Sequence, residues 1–574
     1  MSDKNLFAIQ SIIYKAAQKA GFDVNKKEIR IDQARAIEHG HFTTNVAMVL
    51  AGKDKSNPRE IAEKIVDNLD NPLLEKVEIA GPGFINLWIE QKFYTAECQS
   101  ILSNIDDYIK QTVGESGNKK MAIDYSSPNI AKPLGVHHLL STVIGDSIKL
   151  IYRKMGYEVI ADNYLGDMGT QFGKLIYAIK EWGNIEDIEK DPINELLKLY
   201  VDFHNKAEEN KDLDDLARLE FKKFEEGDQE NRDLWKRIVE WSLLEIKPLY
   251  KRLGIEFDHY NGESFYEDKM QSLLESGRKK NVFIDGENGA WIIESDNPSD
   301  PPAIVRKSDG STIYLTRDLS QTAYWEKEFH PDLMVWVVDI AQSLHFKQRF
   351  NASKKLGQTN AKMVHVDFGR MQFKDGSMST RKGNIIRLSE VLDEAEKRSL
   401  KIVKEKGIDL INEKQKELSV TMGIGAVKYN ILSQNRTTNI TFDWDKMLAF
   451  EGNSVPYLMY TVTRAKSIIR KSGFEIGDIA SFDFNELNTQ ELKTIIQLLM
   501  YVDALKRASE EFKPNHIANC LYNLAQEFNT FYNSNDILRA EDNIKKSRLL
   551  LVATVIKVME DGFGLLGINI PEKM

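Results

Sequence analysis

The sequence predicts an α/β multidomain protein, with a parallel-sheet core between a small α+β unit and an all-helical module. Three observations predict it. Residues 121–161 run strand, loop, helix, strand, a βαβ pattern that demands a parallel sheet with helices on its faces. Residues 1–113 combine two helical periodicities with two alternating strands. From residue 396 onward the apolar spacing is almost wholly helical, which suits a bundle. The divisions fall at 1–113, 119–395 and 396–574, and 574 residues at roughly 150 per domain accommodate three or four such units.

In the first unit Ile9, Ile12, Ile13 and Ala16-Ala17 recur at helical spacing. Pro58-Arg59-Glu60-Ile61-Ala62 opens a second helix, with Asn57 as its N-cap and proline in the first turn. Val77–Ala80 and Phe84–Ile89 alternate as strands about the turn Gly81-Pro82-Gly83. A polar link, 114–120, follows. Met121–Tyr125 is a short buried strand that runs into a loop with two prolines, Ser126 to Pro133. From His137, the residues Leu140, Ile144, Ile148, Ile151 and Met155 step by three and four, so this is a helix, and Tyr157–Ala161 resumes a strand. Residues 175 to 260 read as inserted helices. Further strands are expected at Trp291–Ile293, Ile313–Leu315 and Met334–Val338. Helices are expected at Tyr457–Ile469, Leu492–Ala508 and Ile517–Phe531.

Composition bounds the function. Hydrophobic residues at 42% and charged residues at 29% exclude general disorder. The two cysteines, Cys98 and Cys520, exclude a disulfide framework and cysteine zinc sites and fit a reducing cytoplasm. No metal-ligand pattern is legible. The opening Met1–Asn5 lacks a signal peptide's apolar stretch, and no apolar run approaches the roughly 20 residues that span a bilayer. The net charge of −10 argues at first against nucleic acid, yet residues 181–263 hold 23 acids against 13 bases. That one stretch carries the whole excess, and the remainder is neutral enough to offer basic patches to phosphates. A solvated helical face is the simplest account of the acidic stretch.

Two elements carry chemistry. At residues 126–138 a loop enters a helix N-terminus, where unpaired N–H groups and a partial positive charge suit a phosphate. Lys132, His137 and His138 stand there, able to hold a triphosphate and the charge that develops on it. A histidine pair that merely caps the helix is the competing account. Asp375 to Gly383 is a glycine-bounded, basic, hydroxyl-rich loop able to close over a pyrophosphate, or simply an exposed surface loop.

With these elements stand Asn163-Tyr164-Leu165-Gly166-Asp167-Met168-Gly169-Thr170-Gln171-Phe172-Gly173, Tyr314-Leu315-Thr316-Arg317-Asp318, and Asp339-Ile340-Ala341-Gln342-Ser343-Leu344-His345-Phe346. Together, and in this order, they resemble class I arginyl-tRNA synthetase. So do Met378-Ser379-Thr380-Arg381-Lys382-Gly383, Glu451 to Tyr457, Pro58 to Ala62 and Ala80 to Asn86. The likeness runs from about residue 30 to Met574, and the joint order makes it specific.

The resemblance implies a Rossmann-like catalytic core in 119–395, a tRNA-contacting N-terminal domain and a helical anticodon-binding domain. It implies L-arginine, ATP with Mg2+, and tRNA(Arg) as partners of a cytoplasmic monomer with no membrane role. Arginine's carboxylate would attack the ATP α-phosphate, and the tRNA terminal ribose would then take the arginyl group. The family typically needs bound tRNA even for the first step.

The residues follow by resemblance. His137, His138, Lys132, Arg381 and Lys382 are expected to serve catalysis. Asp124, Ser126, Asn129, Asp167, Gln171, Tyr314, Asp318 and Gln342 are expected around arginine, whose planar cation wants carboxylates and an aromatic wall. Gly135, His345, Met378 and Ser379 are expected with ATP. Tyr457, Phe84 and Asn86 are expected with tRNA. The family's residue at Asp124 is usually glutamate. Its His-x-Gly-His signature here reads Gly135-Val136-His137-His138, keeping the second histidine and placing a side chain where glycine lets adenine approach. Either His137 supplies the missing imidazole or activity is weakened. The mobile loop departs too, with Ser377 at its first lysine position. The readings left open are a ligase for another amino acid, a nucleotidyltransferase, and a non-catalytic tRNA-binding relative.

Overall fold

Strand β1 (Lys120–Asp124) begins the sheet that positions everything else in the computed structural model. The model describes residues 6–34, 36–114, 117–374, 386–408 and 411–574. Helix α1 (His137–Lys154) leaves β1 and returns to β2 (Glu158–Asp162). Its buried face is Leu140, Val143, Ile144, Ile148 and Ile151, the predicted three- and four-residue spacing. Gly145 is required for this crossover, because a Cβ there would stand 2.3 Å from the Tyr125 side chain.

Helix α2 (Tyr314–Phe329), strand β3 (Leu333–Asp339), helix α3 (Ser343–Leu356) and strand β4 (Lys362–Phe368) complete the sheet. Its order is β4-β3-β1-β2 with every pairing parallel. Leu333–Val337 is buried throughout, as befits a strand covered on both faces. Trp325 of α2 stacks on Trp336 of β3 with centroids 5.3 Å apart. In register, Asp124 lies between Trp336 and Asp162, so two acids end adjacent strands at their C-terminal edge. Ligands of open α/β sheets bind at that edge. The acidic stretch folds as helices Thr170–Trp182, Ile185–Lys190, Pro192–Glu209, Asp212–Glu225 and Gln229–Leu253.

Two expectations are corrected. Ile313–Leu315 is not a strand: α2 begins at Tyr314, and the Thr316 hydroxyl receives the Ile313 N–H at 3.5 Å to close its first turn. Three alternating residues could not separate a strand from a helix start, whereas Leu315, Leu319 and Trp325 together bury a helical face. Leu492–Ala508 is two helices, Thr489–Leu499 and Tyr501–Glu511, broken at Met500.

By internal packing the chain forms two units. One comprises Gly117–Leu448 with Leu566–Ile568. It includes helix Leu388–Glu405, which crosses the expected boundary at 395/396, and α4 (Asn412–Leu432), which lies within the third sequence segment. The other comprises Met1–Ser116, Ala449–Leu565 and Asn569–Met574. Within it an antiparallel sheet runs in the order Ile31–Gln33, Phe42–Thr44, Phe84–Ile89, Leu74–Ala80. Asn57 caps the helix Pro58–Val66 by accepting the Arg59 N–H at 3.0 Å. The same unit holds the helical bundle, including α5 (Val455–Ser472) and α6 (Asn515–Ser534). Among the described residues no helix is long and apolar enough to cross a membrane.

Candidate active site

The loop after β1 is held in a strained path by its own polar groups. Ser126, Ser127 and Ala131 have φ of 74°, 46° and 63°, a left-handed region that costs non-glycine residues roughly 1–3 kcal/mol each. Ser126 N–H donates to Ser141 Oγ at 2.9 Å, and its hydroxyl lies 2.6 Å from Tyr250 OH and accepts from Thr142. Ser127 donates through N–H to Asn163 and through its hydroxyl to Asp124 Oδ1 at 2.8 Å. Ala131 N–H donates to Ser242 Oγ. Ser126 is therefore buried and committed to the loop. Asn129 is exposed and bridges to Gly166, where any Cβ would stand 2.4 Å from Asn129 Oδ1.

At the head of α1 the rings of His137 and His138 lie 4.0 Å apart. Burial, then the neighbouring His137, lowers the His138 pKa to about 3, and burial lowers that of His137. Both imidazoles are thus neutral near pH 7 and act through one N–H and one lone pair each. Gly135 forms a bridge with Arg387, the Val136 N–H donates to Ile386 O, and the Leu388 N–H donates to Leu134 O at 2.7 Å. Residues 386–388 are thereby fixed beside the histidines. Met378, Ser379, Arg381 and Lys382, on the segment leading to them, lie outside the described residues. The Lys132 ammonium sits 4.5 Å above the Tyr200 ring of the inserted helices.

A second cluster adjoins the first. Tyr164 donates its N–H to Asp124 at 3.3 Å, and its buried phenol has Asp318, Glu263 and Arg349 as charged neighbours. Asp318, on α2, is buried and bonded at Oδ2 by His345 Nε2 of α3, with Arg349 at 3.9 Å. Burial alone would raise its pKa, but Arg349 and His345 outweigh burial and hold it below the usual carboxylate range. Asp124 behaves oppositely. Burial and then Asp162 push it up to about 7, against Ser127, Tyr164 and Arg349. Burial also raises Asp162 and Asp167. Asp167 accepts the Ser264 N–H at 2.9 Å and its hydroxyl at 2.6 Å.

Tyr314, at the start of α2, is 60% exposed with the Arg317 guanidinium 5.8 Å from its ring. Gln171 donates to Met168 O, and Gln342 lies exposed on the short turn Ile340–Gln342 before α3.

Two pocket residues were not foreseen from sequence. Glu263 is buried, Arg317 stands 3.5 Å away, and Oε2 has no hydrogen-bond partner. Burial pushes its pKa up to about 8, with Asp167 and Asp318 adding to the rise and Arg317 opposing it. The available signal was Asn261-Gly262: a Cβ on Gly262 would stand 2.3 Å from the Asp167 carboxylate, so glycine lets the two acids meet. Arg349 is the other, buried and bonded to Gln321 and Thr322 at 2.7 and 3.1 Å.

In the other unit, Tyr457 OH accepts from Asn529 at 3.0 Å, and Asn529 also accepts from Arg464. The Arg464 guanidinium lies 4.6 Å from the Tyr460 ring and 4.7 Å from the Tyr532 ring, both partly exposed. Phe84 is exposed at its strand start, whereas Asn86 is buried in register with Thr43 and Glu78.

Known proteins match this arrangement over its length. The family model described as "tRNA synthetases class I (R), catalytic domain" matches residues 97–444. The DALR anticodon binding domain matches 458–574, and the arginyl tRNA synthetase N terminal domain matches 8–89. An arginine–tRNA ligase of Fusobacterium nucleatum is 40% identical over 96% of both chains. That of Clostridium acetobutylicum is 40% identical over 90% of this chain and 91% of its own. The crystal structure of arginyl-tRNA synthetase from Plasmodium falciparum superposes with a TM-score of 0.83 at 25% identity, covering 99% and 98% of the two chains. The Thermus thermophilus structure shares the fold, with a TM-score of 0.82 at 22% identity over 99% of both chains. This chain, matched from end to end, belongs to the arginyl-tRNA synthetase family of class I.

Proposed function

We propose that the chain is an arginine–tRNA ligase acting in the cytoplasm as a monomer. It activates L-arginine with ATP to arginyl-adenylate and pyrophosphate, then transfers the arginyl group to the 3′ ribose of tRNA(Arg) and releases AMP. The observation that carries this reading is the adjoining of two clusters at one sheet edge. Buried acids that fit a guanidinium, Asp318 and Glu263, meet through Tyr164 a loop and helix head that fit a triphosphate. Carboxylates in forked geometry suit arginine better than any other side chain.

We infer the roles from the resemblance together with the positions described above. Asp318 and Glu263 take the guanidinium, with Tyr314 as its wall and Asp167 and Gln171 behind. Asn129, Gln342 and Asp124 take the amino and carboxylate end, and Ser126 holds their loop. His138 and His137 donate neutral N–H groups to the phosphates, His137 replacing the imidazole that Gly135 lacks. Gly135, Met378 and Ser379 are assigned to ATP by resemblance, whereas His345, expected there too, bonds Asp318 and is assigned to the arginine pocket. Lys132, Arg381 and Lys382 supply cationic charge, and Mg2+ comes with ATP to neutralise its phosphates. No covalent enzyme intermediate is needed, so positioning and electrostatics carry the rate. In the other unit Tyr457, Phe84 and Asn86 contact tRNA, joined by Tyr460, Arg464 and Tyr532.

The test is arginine-dependent pyrophosphate exchange with and without tRNA(Arg). Exchange that requires arginine and tRNA supports the reading. Exchange with another amino acid refutes the specificity. None under any condition favours the non-catalytic relative, for which the Gly135-Val136-His137-His138 segment speaks.

A further inference from the structure

Asp318 is gripped by two partners of unequal character. The inner one is Arg349, 3% exposed, bonded to Gln321 and Thr322 and lying 4.2 Å from the Trp336 ring. It is locked in place. The outer one is His345, whose Nε2 bonds the same carboxylate oxygen, Oδ2. Its ring is 28% exposed against 12% for the acid it covers. Its Nε2 is hydrogen-bonded to Asp318, and its ring lies 5.8 Å from that of Phe346. Of the two partners of Asp318, His345 is thus the one that solvent reaches.

We propose that His345 is a place-holder: it satisfies the Asp318 carboxylate in the empty pocket, and the guanidinium of arginine displaces it. The proposal rests on Asp318 being the guanidinium acceptor. A buried carboxylate oxygen without a donor is costly, so an empty pocket gains from a temporary one. A guanidinium brings five donors in a rigid fork. It can take over Oδ2 and still reach Glu263, whose Oε2 has no hydrogen-bond partner. Arg349 cannot be the group that leaves, because its exit would break two hydrogen bonds and its contact with Trp336. Arginine affinity is then the difference between two partners for one acid, and His345 sets the lower term. The residue determines arginine affinity by competition, without being required as a contact to the bound substrate.

This reverses the usual sign of a pocket mutation. With ATP and tRNA(Arg) saturating, His345→Ala in the full chain should lower the arginine KM roughly ten- to 150-fold, the worth of one hydrogen bond to a charged group. His345→Gln, which still donates to Asp318, should stay within roughly twofold of the natural chain. A raised or unchanged KM in His345→Ala overturns the proposal, since a positioning partner of Asp318 would weaken arginine binding when removed.

The unmutated protein gives a second readout. With 15N-labelled histidine, and the His345 signal assigned by its loss in His345→Gln, saturating arginine should shift that signal strongly. No shift overturns the proposal. Asp318→Asn separates the two levels of the argument: if it leaves the arginine KM unchanged, Asp318 is not the acceptor and the pocket reading itself fails, whatever His345 does.

Discussion

If Glu263 closes on the guanidinium, arginine binding must be linked to pH in a defined direction. In the empty pocket burial places its pKa at about 8, so at pH 7 most molecules carry the acid protonated. The bound guanidinium demands the carboxylate. Binding therefore expels a proton, and affinity rises with pH until the acid is ionised without help. Each unit between pH and pKa costs about 1.36 kcal/mol. For one such group the apparent arginine KM is inflated roughly elevenfold at pH 7 and roughly twofold at pH 8, so it should fall roughly fivefold between them.

Asp124, raised to about 7, adds a shallower dependence centred lower. The two are separated by Glu263→Gln. That change deletes a charged partner and should raise the arginine KM by an amount corresponding to about 2–5 kcal/mol. It should also remove the drop between pH 7 and 8 and leave only the Asp124 component. The assay is aminoacylation at saturating ATP and tRNA(Arg), with arginine varied at each pH. Calorimetry in two buffers of different ionisation heat counts the released proton. A natural-chain KM that does not fall from pH 7 to 8, or a fall of the same size in Glu263→Gln, refutes the argument.

Two further outcomes follow from the structure. Asp146 of α1 lies 2.7 Å from Lys149 and 3.7 Å from Lys428 of α4, with all three side chains at most 4% exposed. Asp146→Ala leaves two buried ammonium groups without their acid and should cost about 3–5 kcal/mol in urea unfolding; a loss within error of zero would show that the lysines find other partners. Arg464, stacked between Tyr460 and Tyr532, should matter to RNA alone. Arg464→Ala is expected to raise the tRNA(Arg) KM roughly 5- to 100-fold with the arginine KM unmoved, and an unchanged tRNA KM would exclude that face from the interface.

How much could be read in advance depended on range. The βαβ unit was legible because α1 buries one periodic stripe, Leu140 to Ile151, and its flanking strands are apolar. The Asn57 cap was legible because capping is settled within three residues. The strands Ile31–Gln33 and Phe42–Thr44 were not, since three residues give no period and their pairing is set by Phe84–Ile89. Tyr314 was assigned to a strand for the same reason. In the site, Asp318 and Asn129 were reached through motif order, not through physics that a sequence displays. Glu263 could not be reached that way. It ends a run of 23 acids, and only the fold shows that this one is buried against Asp167 while most of its neighbours meet solvent.

That burial also explains how an acid-rich pocket stays folded when empty. Asp124, Asp162, Asp167, Glu263 and Asp318 lie together, with Arg317 and Arg349 as the arginines near them among the described residues. Five ionised acids against two cations would repel strongly in a medium poor in water. The protein meets the deficit unevenly. Asp318 keeps its charge because Arg349 and His345 sit on it, while burial raises the pKa of each of the other four. At Glu263, pushed up to about 8, and in part at Asp124, pushed up to about 7, protons thus occupy the place of a missing cation, and they are the cheapest occupant to expel. Arginine brings a charge that cannot be neutralised at any accessible pH, so it can exchange for them. Lysine can instead shed its own proton inside such a site. On this argument discrimination between the two bases comes from the pocket's proton inventory as much as from the shape of the fork.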